Sequence, residues 1–126
     1  MKLARPWIFI AIAALVVAGA FAAWRALGSR EPAPKVPYTL LDGSKTSTDA
    51  QRGKVLLVNF WATSCVACVA EMPQIVATHE KFKARGYETV AVAMSYDPPA
   101  YVARFARSRA LPFGVAIDNT GEVAMA

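Results

Sequence analysis

In Val55-Leu56-Leu57-Val58-Asn59-Phe60-Trp61-Ala62-Thr63-Ser64-Cys65-Val66-Ala67-Cys68, an apolar run gives way to small and hydroxyl residues and then to a Cys-x-x-Cys pair. The continuous apolar character of Val55–Trp61 predicts a strand buried on both faces. A helix is predicted to begin near Cys65, because Val69, Met72, Val76 and Phe82 fall at helical spacing. Lys81, Lys83 and Arg85 enrich its last turn, and Gly86 is a good terminator. Pro73 lies inside the pattern and is expected to kink it.

This places Cys65 directly after a strand and at a helix N-terminus, where free backbone N–H groups and the helix dipole stabilise a thiolate. Cys68 returns to the same face of the first turn. Such a pair suits thiol–disulfide exchange: Cys65 attacks a substrate disulfide, and Cys68 resolves the mixed disulfide. Other uses of the pair are weaker. A structural zinc site needs about four ligands, and the chain offers Cys65, Cys68 and the single His79. A c-type haem attachment needs His after the second cysteine, where Val69 stands. A purely structural disulfide over so short a loop gains little entropy.

Outward from the motif, the same grammar continues. Tyr38-Thr39-Leu40-Leu41 followed by Asp42-Gly43 reads as a hairpin. Ser47 or Thr48 is placed to cap a short helical turn ending at Gly53. Tyr87–Met94 is a second buried strand. Asp97 is expected to cap a helix over Pro98–Arg109, with Pro98 at the tolerated first position. Val115–Ile117 is a third strand, and Asp118-Asn119-Thr120-Gly121 a turn. The order hairpin, β, α, β, α, β implies an α/β sandwich with a parallel central pair.

The N-terminal segment is of another kind. Pro6–Trp24 has no charged residue, and as a helix it is about 28 Å long, close to the hydrocarbon thickness of a bilayer. Trp7 and Trp24 bracket it, Lys2 and Arg5 precede it and Arg25 follows it. An uncleaved anchor is favoured; Ala18-Gly19-Ala20 leaves a cleaved signal peptide as the alternative. Both deliver the following domain outside the cytoplasm. Residues 28–37, with Pro32, Pro34 and Pro37, read as an extended linker. The expected organisation is thus an anchor or signal peptide over 1–27, a linker over 28–37 and an α/β domain over 38–126.

Charge follows this division. The 126 residues carry a net +5, yet residues 1–35 hold five of the 14 basic residues against one of the nine acidic ones. The remainder is nearly neutral, without the concentrated positive face of a phosphate-tracking surface, so no nucleic-acid partner is expected. Two cysteines exclude a disulfide-rich scaffold.

Asn59-Phe60-Trp61-Ala62-Thr63-Ser64-Cys65-x-x-Cys68-x-x-Glu71-Met72-Pro73, with the Tyr38–Gly43 hairpin and Gly53-Lys54-Val55, resembles the TlpA-like, membrane-anchored thioredoxins of the redoxin superfamily. The resemblance covers residues 37–126. It implies a thioredoxin-like fold with an N-terminal β-hairpin, and reduction of protein disulfides outside the cytoplasm, in some members during cytochrome c maturation. Electrons would come from a membrane thiol–disulfide donor. It places the protein in a bacterial inner membrane, single-pass, with the domain facing the periplasm or cell exterior. No cofactor is implied beyond the redox-active Cys65–Cys68 disulfide.

By the same resemblance Cys65 is the exposed nucleophile and Cys68 the buried resolving thiol. Glu71 matches the family carboxylate one turn on, placed to shuttle the Cys68 proton; an ordinary solvated carboxylate is the alternative. Trp61 resembles the aromatic flanking the active site, a substrate contact, although packing alone also explains it. Val66-Ala67 lacks the proline common between the cysteines. The family's cis-proline loop, last two strands and last helix are not found before Ala126, so the domain is expected to be C-terminally truncated.

Other residues are set aside. His79 reads as a surface or satisfied helix histidine, with metal ligation as the alternative. Arg104, Arg107 and Arg109 read as a solvated face favoured by the helix dipole, and Tyr101, Val102 and Phe105 as core contacts. Two further functions compete: a copper-binding thioredoxin-like module using Cys65, Cys68 and His79, and a thiol peroxidase. The usual peroxidatic threonine-to-cysteine loop is not apparent.

Overall fold

The computed structural model describes residues 6–28 and 33–126. Lys2, Arg5, Arg30 and part of the expected linker lie outside the described residues. The chain divides into two units, residues 1–32 and 33–126. In the first, Pro6–Leu27 forms one helix, α1. Its apolar residues surround the axis, so no polar stripe marks a side for water. Mean hydropathy reaches 2.3 over an 18-residue window of this helix, which is long and apolar enough to cross a membrane.

The second unit opens with the expected hairpin. Strand β1 (Pro37–Thr39) pairs antiparallel with β2 (Lys45–Ser47), Tyr38 opposite Thr46. Gly43 takes the left-handed φ of 83° that the turn requires. The Ser44 hydroxyl (2.6 Å) and N–H (2.9 Å) both donate to Asp42 Oδ1. These bonds hold the Asp42 carboxyl below the usual carboxylate range. A single 3-10 turn follows at Thr48–Gln51, but the Ser47 side chain makes no capping bond to it. Thr48 ties back the incoming chain instead: Oγ1 accepts the Val36 N–H at 3.0 Å and donates to the Pro34 carbonyl at 2.6 Å.

Three parallel strands follow: β3 (Val55–Trp61), β4 (Tyr87–Ala93) and β5 (Gly114–Ile117), in spatial order β3-β4-β5. Helix α2 (Val66–Phe82) joins the first two and α3 (Pro99–Ser108) the last two. Gly86, at φ 82°, ends the 3-10 turn Lys83–Arg85 that extends α2. A four-residue helix, α4 (Glu122–Met125), follows β5. The order of elements and the parallel arrangement are as expected.

One strand differs from its expectation. β3 is an edge strand among the described residues, with Val55 67% and Phe60 40% exposed. The central, fully covered strand is β4, where Val90–Ala93 are buried. Its side chains alternate faces. Ala91 and Ala93 meet Trp61, Met72, Val102 and Phe113 under the two helices, whereas Val90 and Val92 meet Tyr38 and Ala116 on the hairpin side. The far side of β5 is occupied by the hairpin: Leu40 bridges to Ala116, and the Leu41 N–H donates to the Val115 carbonyl at 2.9 Å.

Two details of α3 also differ. It starts one residue late, with Pro98 at the cap and Pro99 at the first helical position, so Asp97 does not cap it. Tyr101 is 53% exposed rather than core; Val102 is buried and Phe105 half-buried.

Candidate functional site

The C-terminal ends of β3 and β4 lie side by side, with Trp61 in register with Ala93. From the end of β3 the chain turns once, the Cys65 N–H donating to the Ala62 carbonyl at 3.0 Å, and enters α2. Cys65 is the N-cap of that helix. Its Sγ accepts the Cys68 N–H at 3.2 Å, the role a serine oxygen often plays, so the sulfur faces the unpaired N–H groups of the first turn. That environment favours a thiolate over a thiol.

Cys65 and Cys68 are joined in a disulfide, their Cα atoms 5.3 Å apart. Both are half-buried. Cys68 packs against the cluster of Trp61 and Met72, whereas Cys65 sits at the mouth of the turn. The two sulfurs thus differ in what each backs onto.

A residue outside the motif holds the turn. Asp97, buried after the end of β4, accepts the Thr63 N–H at 2.6 Å through Oδ2 and the Thr63 hydroxyl at 2.6 Å through Oδ1. Both carboxylate oxygens are thus committed to the residue two before Cys65. Sequence reading gave Asp97 only a capping role. The signal that finds it is topological: in parallel α/β sheets, site residues gather at the C-terminal ends of neighbouring strands.

Trp61 is placed under the site rather than on it. It is 1% exposed, and its ring lies 4.9 Å from that of Phe105. Its surface is spent on the core. Its carbonyl accepts the Met94 N–H at 3.0 Å, linking β3 to the loop that carries Asp97. Glu71 is exposed on α2, three residues after Cys68 and on the same side of the helix. Pro73 lies inside α2 and removes the N–H that would bond the Val69 carbonyl.

His79 is remote from the cysteines. It follows Cys68 by 11 residues of α2, about 16 Å at about 1.5 Å per residue. It is 4% exposed; Nδ1 lies 3.3 Å from Thr89 Oγ1, and its ring meets Phe113 edge-on at 5.3 Å. The satisfied-histidine reading is the one the structure supports. A copper site combining His79 with the two cysteines is contradicted by this separation.

A Cys-x-x-Cys disulfide at the head of the helix that follows the first strand of a parallel sheet defines a thioredoxin-like redox fold. Residues 27–126 match the Redoxin family, and the chain belongs to it. Among its relatives is the thiol-disulfide oxidoreductase ResA of Bacillus cereus, 33% identical over 125 residues, covering 92% of this chain and 72% of that protein. The ResA of Bacillus thuringiensis subsp. konkukian is 36% identical over 91 residues, covering 72% of this chain and 52% of that one. The resemblance to TlpA-like thioredoxins is thereby upheld. A Neisseria meningitidis protein described as a candidate thioredoxin superposes with a TM-score of 0.68 at 36% identity, over 74% of this chain and 62% of its own. The chain therefore spans about half the length of the second relative and under two thirds of the solved one.

Proposed function

We propose that the protein is a membrane-tethered thiol–disulfide oxidoreductase that reduces disulfides of partner proteins outside the cytoplasm. The observation that carries this reading is the Cys65 sulfur at the N-cap of α2, accepting the Cys68 N–H and bonded to Cys68. In the reduced state the Cys65 thiolate attacks one sulfur of a partner disulfide. That bond breaks, a mixed disulfide forms, and the departing sulfur takes a proton. Cys68 then gives up its proton and attacks Cys65 Sγ. The partner leaves as a dithiol, and the Cys65–Cys68 disulfide forms as observed. Two electrons pass from the pair to the partner, and a membrane dithiol donor restores them by the reverse exchange.

Glu71 receives the Cys68 proton in this scheme, supported by its position one turn on along α2. Trp61 acts as a positioning residue, supporting Cys68 from below. Helix α1 is the anchor, supported by its length and apolarity. The finer setting is a single-pass protein of a bacterial inner membrane, the domain facing the periplasm or cell exterior, with cytochrome c precursors among its substrates. It rests on the TlpA-like resemblance.

The test is insulin reduction by the full chain in dodecyl maltoside micelles, with dithiothreitol as electron source. Insulin B chain should precipitate faster than with dithiothreitol alone, and Cys65→Ser should return the rate to that background. Parent-like activity in Cys65→Ser would sink the reading. Peroxide consumption in the same preparation, exceeding disulfide reduction, would favour the thiol peroxidase instead.

A further inference from the structure

A cleft of about 410 Å³ runs beside the redox turn, lined by Thr63, Tyr101, Arg104, Phe105 and Ser108. One wall is the turn that Asp97 pins. The other is the outer face of α3. Thr63 precedes the nucleophile by two residues, so the cleft begins within about 7 Å of the Cys65 backbone.

The charge of this wall is one-sided. From Pro98 to Ala110 the chain holds Arg104, Arg107 and Arg109 and no acidic residue. Elsewhere in the second unit several cations are neutralised, as in Lys54–Glu88, Arg52–Asp49 and Lys83–Glu80. Arg104 has a different neighbour: its guanidinium lies 5.1 Å over the exposed ring of Tyr101. Stacking of this kind orients the cation while leaving its N–H groups to face outward. None of the five lining residues is acidic, and Asp97, which pins the Thr63 wall, is buried and already bonded to Thr63. The helix dipole accounts for Arg107 and Arg109 near the last turn, but not for Arg104 in the middle of α3.

We propose that this cleft is the specificity groove for the substrate, taking an extended segment whose acidic side chains flank the target disulfide. The occupant follows from charge complementarity: a carboxylate beside the attacked cysteine meets Arg104, while the peptide's apolar atoms lie on Tyr101 and Phe105. Exposed charges of this kind act chiefly on encounter and on choice of partner. The proposal rests on the thiol–disulfide reading above and names its substrate class.

The experiment uses the reduced full chain in dodecyl maltoside and three synthetic peptides, each closed by one disulfide. They differ only in having Glu, Gln or Lys beside the cysteines. Each rate is divided by that of dithiothreitol on the same peptide, which removes the intrinsic effect of the flanking charge on the disulfide. At low salt the Glu peptide should be preferred to the Gln peptide by about five-fold, the upper range for an exposed pair. The preference should shrink below about two-fold in 0.5 M NaCl, within a Debye length of a few ångströms. Arg104→Glu should invert the order, and Arg104→Gln should flatten it. Lys45→Glu, the same charge change on the hairpin, should leave the preference in place.

Equal reduction of all three peptides would overturn the groove while leaving the oxidoreductase reading intact. An equal effect of Lys45→Glu and Arg104→Glu would overturn it too, because net charge would then suffice. Failure to reduce any peptide would overturn both the groove and the reading on which it rests.

Discussion

Helix α2 carries a polar cluster at each end, and the two are built for opposite purposes. At its N-terminus the half-buried Cys65–Cys68 pair faces a turn held by Asp97, with its sulfurs within reach of a partner. Toward its C-terminus His79 is enclosed by Thr89, Phe113 and Glu88, whose Oε1 is 4.0 Å from Nδ1. Lys54 closes that cluster, its Nζ 3.6 Å from Glu88 Oε2. Residue type alone would suggest the reverse, since histidine is the more versatile catalyst. Position decides it. The cysteines stand where β3 and β4 end, whereas Glu88 and Thr89 stand near where β4 begins. The first edge leaves backbone donors and a helix N-terminus open to a ligand; the second serves packing.

The largest effects should separate the ends without ambiguity. Cys65→Ser removes the nucleophile and should abolish disulfide reduction, with little change in thermal stability under reducing conditions. Cys68→Ser should stop after the first step and accumulate a mixed disulfide, visible by mass spectrometry as a covalent partner adduct. Release of partner at the parental rate from Cys68→Ser would show that Cys68 does not resolve.

His79→Ala is the converse. It leaves a cavity under Phe113 and strips Thr89 of its partner, which should cost about 2–4 kcal/mol in urea unfolding. Exchange rates of the folded fraction should not change. If instead reduction slowed while stability held, the two ends would be coupled and the division would fail.

The sequence made these two clusters unequally legible. Cys65 and Cys68 are a local motif, and their context is set by sequence neighbours such as Phe60 and Val69. The partners of Thr63 and His79 are distant: Asp97 lies 34 residues from Thr63, and Thr89 ten from His79. Periodicity places a residue on a face but does not say which strand end comes beside it. For the same reason Asp97 read as a helix cap, its local alternative. The apolar runs of β3 and β4 look alike, and only the order β3-β4-β5 makes β4 central and β3 an edge among the described residues. Tyr101 misleads because it lies on the rim of the α3 stripe, where Arg104 covers its ring better than the core does.

Asp97→Ala should fall between the extremes and touch both properties. It removes two charge-assisted bonds to Thr63, for a loss of about 1–3 kcal/mol. A freed turn should also slow attack by Cys65 and shift the pH profile of that step. Asp97→Asn, which keeps one acceptor, should recover part of the rate. A stability loss with an unaltered profile would move Asp97 from the reactive end to the structural one.

The smallest effect belongs to Glu71. It is exposed one turn past Cys68, so water can take over its proposed work. Glu71→Gln should leave Cys65 attack unchanged and slow only the resolving step, by about ten-fold, below the range of about 10²–10⁴ for a dedicated acid–base group. The deficit should shrink at high pH, where the Cys68 thiol loses its proton to solvent unaided. Stopped-flow tryptophan fluorescence during resolution reads this step directly. Should Glu71→Gln resolve at the parental rate at every pH, Glu71 is a solvated helix carboxylate. The reactive end of α2 would then consist of the cysteine pair and the Asp97-held turn alone.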